Sequence, residues 1–91
     1  MLLDMVRYET VSDFDPPPSV GVAETAFDLG LRYCAGREVN VDFVEAHKWF
    51  NIAAVGGNVD ARRYRHEIAS EMSKADVARA QRLAREWLAA H

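Results

Sequence analysis

The chain has 91 residues, 49% of them hydrophobic and 27% charged; at this size only about 60–65% of the unfolded surface is buried on folding, enough for one core and no second domain. A net charge of −3 argues against a general nucleic-acid binder. One cysteine, Cys34, excludes an internal disulfide, and the apolar runs are far shorter than the roughly 18 residues that span a bilayer, so the expectation is a cytoplasmic protein without a membrane segment.

Residues 1–20 read as an acidic, proline-containing arm. Asp4, Glu9, Asp13 and Asp15 stand against Arg7, so the whole charge excess lies here and the rest of the chain is balanced. Pro16-Pro17-Pro18 is stiff and extended, with no backbone donors. Ahead of it, Leu2, Leu3, Met5, Val6 and Tyr8 are apolar enough to dock on a body. Asp4 follows Met1-Leu2-Leu3 at once, which leaves no apolar core for a secretory signal.

Residues 21–91 read as four helices. The first spans Val22–Ala35, with Ala23, Ala26, Phe27, Gly30 and Tyr33 at helical spacing and Gly36 to end it. A seven-residue connection leads to Asp42, which with Glu45 caps a second helix over Phe43–Val55. Ala46, Trp49, Phe50, Ala53 and Ala54 form its apolar set, and Gly56-Gly57 closes it. Asn58 or Asp60 caps a third helix, Ala61 to Met72, with Tyr64, Ile68, Ala69 and Met72 on one face. Ser73 with Asp76 opens a fourth, ending near Ala90 and striped by Val77, Ala80, Leu83, Ala84, Trp87 and Leu88. Nothing alternates with a period of two. The prediction is an all-α fold of two antiparallel helical hairpins.

The hairpins repeat weakly. An offset of 34 lays Ala46 on Ala80, Trp49 on Leu83 and Phe50 on Ala84, a period typical of α/α solenoids. The stretch 23–61 resembles a Sel-one-like repeat, a relative of the tetratricopeptide repeat. Leu29, Gly30 and Tyr33 match its first helix; Gly36, Val39 and Asp42 match its loop; Ala46, Trp49, Phe50, Ala53, Ala54 and Gly56 match its second helix. Residues 61–91 resemble a degenerate capping unit. The resemblance implies a short α/α superhelix. Two positions depart from the family. Glu38 stands where a second loop glycine is usual, so a left-handed backbone there would cost roughly 1 kcal/mol. Arg32 replaces an apolar residue, which leaves its face less covered or lays its stem over the core.

No reaction is legible. His47, His66 and His91 have no metal-ligand spacing, Cys34 has no base or orienting partner, and Trp49, Phe50 and Trp87 read as core. No catalytic, metal or cofactor site is assigned. Arg62, Arg63, Arg65 and His66 form a basic cluster, partly neutralised if Arg63 pairs with Glu67 and Arg82 with Glu86. It reads first as a solvated face and second as a dock for an acidic peptide or for the arm. The resemblance implies a non-catalytic adaptor or scaffold that binds a protein or peptide through its first-helix surfaces. Its candidate residues are Glu24, Asp28, Leu31 and Arg32 with Arg62, Arg65 and Ala69. The alternative is a self-associating module, a homodimer through an exposed helical face, because about three repeats are usually needed for stability.

Overall fold

The computed structural model describes backbone from Pro18 and side chains from Gly21 to the C-terminus. Residues 1–17, most of the arm, lie outside the described residues. Four helices follow: α1 (Pro18–Ala35), α2 (Phe43–Val55), α3 (Val59–Ala69) and α4 (Lys74–Ala90), with no strand among the described residues. The all-α, four-helix expectation holds.

Local chemistry sets most of the boundaries. Asp42 takes the extended conformation and its carboxylate accepts from the Glu45 N–H at 3.1 Å, supplying one of the donors that a helix start leaves open. Ser73 does the same for Asp76 at 3.1 Å. Asn58 serves two helices. Its N–H donates to Ala53 O at 3.0 Å, closing α2 together with the Gly57 N–H on Ala54 O. Its side chain then accepts from Ala61 N at 2.9 Å and opens α3. Gly57 makes this possible with a φ of 103°.

Three ends differ from the sequence reading. α1 starts at Pro18, four residues before Val22, because proline's fixed φ and missing N–H suit the first turn of a helix. α3 starts at Val59 and stops at Ala69. The Ser70 hydroxyl turns back onto Glu67 O at 2.6 Å, competing with the ladder, and Ser70–Met72 become a turn.

α2 is the hub. It packs along α1, α3 and α4, while the other pairs of helices meet only at isolated points. α3 and α4 therefore do not close on each other as α1 and α2 do. Being surrounded, α2 buries residues around most of its circumference: Ala46, His47, Phe50, Ile52 and Ala53. The sequence reading had left Ile52 and His47 off that helix's apolar face. Among the described residues, seven of the ten buried apolar ones are alanines (23, 26, 46, 53, 61, 80 and 84), so close helix approach, rather than bulky filling, makes this core.

Gly30 shows why. A Cβ there would stand 2.5 Å from two ring carbons of Phe50. The glycine lets Phe50 lie against α1, and Phe50 is fully buried. Around it Phe27 (5.8 Å between centroids) and Tyr64 (5.5 Å, stacked) close an aromatic cluster, with Phe27 edge-on to Tyr64 at 5.6 Å. This cluster joins α1, α2 and α3.

Candidate functional site

Three side-chain arrangements could carry a function: the polar residues expected to bind a partner, a buried polar network, and an apolar groove.

The expected residues are largely occupied with one another or with the core. Asp28 and Arg32 lie together, 3.1 Å apart, and Arg32 also reaches Glu38 at 3.1 Å. Arg37 approaches Asp28 at 3.9 Å. This resolves the two readings of Arg32: the side chain remains 42% exposed in a surface ion-pair cluster. Leu31 packs against the core. Glu24 is exposed beside the Gly56–Asn58 turn. On α3, Arg62 is exposed and Ala69 half-buried. Arg63 pairs with Asp60 at 3.8 Å, not with Glu67, and lies over the Tyr64 ring. The pairing of Arg82 with Glu86 is present at 3.9 Å. No ion pair among the described residues joins the α1 set to the α3 set.

Arg65 is drawn inward. Its guanidinium donates to Asn51 Oδ1 at 2.7 Å, and the Asn51 amide donates to His47 Nδ1 at 3.0 Å. With Nδ1 accepting, His47 is a neutral imidazole carrying its proton on Nε2. Burial, then the Arg65 charge, holds its pKa below 6.5. The chain Arg65–Asn51–His47 ties α3 to α2, a structural role for a polar trio. Sequence reasoning missed it because its two bonds span four and fourteen residues, and the longer one exists only once the helices pack.

Cys34 is half-buried, and burial and then the Glu67 charge push its thiol pKa up. That is the opposite of an activated nucleophile. Among the described residues no three His, Cys, Asp or Glu side chains are grouped to hold a metal, and no helix is long and apolar enough to cross a membrane.

The groove lies where α1, α2 and α4 meet. Gly21, Val22, Thr25, Ala26 and Leu29 of α1 form one wall, and Trp49 of α2 and Trp87 of α4 form the other, around a space of about 450 Å³ that is open on one side. Trp49 and Trp87 meet edge to face at 5.5 Å. Trp49 is fixed from outside: its indole N–H donates to Glu45 at 3.3 Å, and Lys48, itself 3.1 Å from Glu45, sits over its ring at 4.3 Å. Trp87 stacks on His91 with centroids 4.0 Å apart. Both indoles are only half-buried. They were read as core from their helical spacing. The helices indeed pack them, but leave one side of each uncovered.

Comparison with models of known protein families, with characterised proteins and with solved structures found no match to this chain.

Proposed function

We propose that the chain is a non-catalytic, protein-binding helical module, and that its binding surface is the α1–α2–α4 groove. The observation that carries this reading is the groove itself: an open apolar trough with two half-exposed tryptophans held in fixed orientation. Rigid aromatic side chains in a concave apolar setting are the usual anchors of peptide binding. The groove fits an apolar side-chain row presented by a helix or an extended peptide. The charged residues of α1 already satisfy one another, and exposed ion pairs contribute little to binding energy.

The Sel-one-like reading belongs with this proposal. Gly30 against Phe50, and left-handed backbone at Gly36 and Glu38, support a repeat whose two loop positions want glycine. On this reading the α1–α2 hairpin is one repeat unit of a short superhelix in a cytoplasmic protein.

Selection from a random peptide library tests the groove. Enriched peptides should carry spaced apolar residues, lose binding to Thr25→Asp, and keep binding to Arg62→Glu. The reverse pattern, or no enrichment even when Leu3, Met5 and Val6 are changed to serine, would refute it.

A second reading, self-association, draws on a separate feature. Val55 and Val59 are 70% and 74% exposed on either side of the Gly56–Asn58 turn. Light scattering across a concentration series would show a dimer dissociated by Val55→Lys with Val59→Lys; a monomer throughout removes this reading.

A further inference from the structure

We infer that the groove's resident occupant is the chain's own N-terminal segment, with residues 2–8 seated against Trp49 and Trp87, so that an external partner must displace it. The inference rests on the proposed reading of the groove as a binding surface.

Position argues for it first. Seventeen residues precede Pro18, and the groove begins at Gly21, one helical turn further on. Its α1 wall, Gly21 to Leu29, is about 12 Å long at 1.5 Å per residue. Seventeen extended residues reach about 55 Å at about 3.3 Å each, so the segment can double back along the whole wall. Because the segment is tethered beside the groove, its effective concentration there is on the order of millimolar. A weak apolar contact is then enough for occupancy.

Chemistry argues for it next. Leu2, Leu3, Met5, Val6 and Tyr8 supply five apolar side chains within seven residues. The groove's lining is apolar apart from Thr25 and the indole nitrogens. Residues 2–8 hold one acidic and one basic side chain, and no charged residue lines the groove, so the apolar row carries the contact. Ser12 and Asp13, residue types that favour turns, lie between the apolar residues and the prolines.

The two tryptophans are the only ones in the chain and both line the groove, so their indole N–H resonances report on it directly. In the full-length chain carrying Cys34→Ser, a spin label is attached through Arg7→Cys. The inference predicts that both indole peaks are broadened away in dilute solution and return when Leu3, Met5 and Val6 are changed to serine. Unbroadened indoles would overturn it. So would broadening only between an isotope-labelled chain and a separate spin-labelled one, since the occupant would then be a second copy. Library-selected peptides separate this failure from that of the groove. If label-insensitive indoles still shift with such a peptide, the groove stands and self-occupation falls; indoles unmoved by both remove the two together.

Discussion

Gly30 and Phe50 are fitted to each other: the phenyl ring fills the place a Cβ on residue 30 would need, with two ring carbons 2.5 Å from it. The contact sets how closely α1 approaches α2. It also places the groove, because α1's wall and Trp49 face each other at the separation this contact fixes.

Gly30→Ala should therefore destabilise. Alanine favours the helix by about 1 kcal/mol over glycine, but overpacking of this kind costs roughly 1–3 kcal/mol or more. The net loss should appear in urea denaturation. Adding Phe50→Leu should recover part of it, since the smaller side chain vacates the space. Additive losses in the double variant would contradict the fit.

Glu38 has a φ of 67°, the left-handed backbone that the loop comparison raised as an expectation. Glu38→Gly should relieve about 1 kcal/mol of strain. It also gives up the Arg32 ion pair, an exposed contact with a value of about 0–1 kcal/mol. Glu38→Gln isolates the ion-pair loss, because it keeps the strain. The expected order of melting temperature is glycine highest, then glutamate, then glutamine. Glycine falling below glutamine would show that the strain is not felt.

His47 makes stability depend on pH. Its folded pKa is lowered from 6.5, chiefly by burial and then by Arg65, so the unfolded chain binds the proton more readily than the folded one. The stabilisation is fully present above the unfolded value and is lost as pH falls through the folded one. Urea midpoints should drop between about pH 7 and about pH 5, and His47→Gln should flatten that part of the profile. A profile unchanged by this substitution would contradict the assignment.

Arg65→Met separates a structural arginine from a binding one. It removes the 2.7 Å bond to Asn51 and should cost about 1–3 kcal/mol, as expected for a hydrogen bond to a charged group. The loss of its charge should also move the His47 pKa upward. Binding of groove-selected peptides should persist. Lost binding with unchanged stability would return Arg65 to the docking surface.

Sequence legibility followed the range of the interactions. α2 was read with both ends correct because Asp42, Glu45 and the Gly56-Gly57 pair act within a few residues. Helical spacing puts Gly30 on the packed face of α1, but that Phe50, twenty positions away, fills the space beside it emerges only once the helices pack. The start of α1 was missed because three prolines suggest an extended arm, although the last of them also suits a helix start. Arg65 was read as free because nothing local announces Asn51 as its partner. The groove was hidden for a related reason. Spacing places Trp49 and Trp87 on apolar faces, but only the packing of three helices decides which side of each indole stays open.

The most direct test of the groove follows the Trp49 and Trp87 indole N–H resonances as the tightest library-selected peptide is added to the full chain. The account predicts that both shift together and saturate with the binding curve, and that Thr25→Asp abolishes the shifts while leaving the fold intact. A peptide that binds with both indoles unmoved would contradict it.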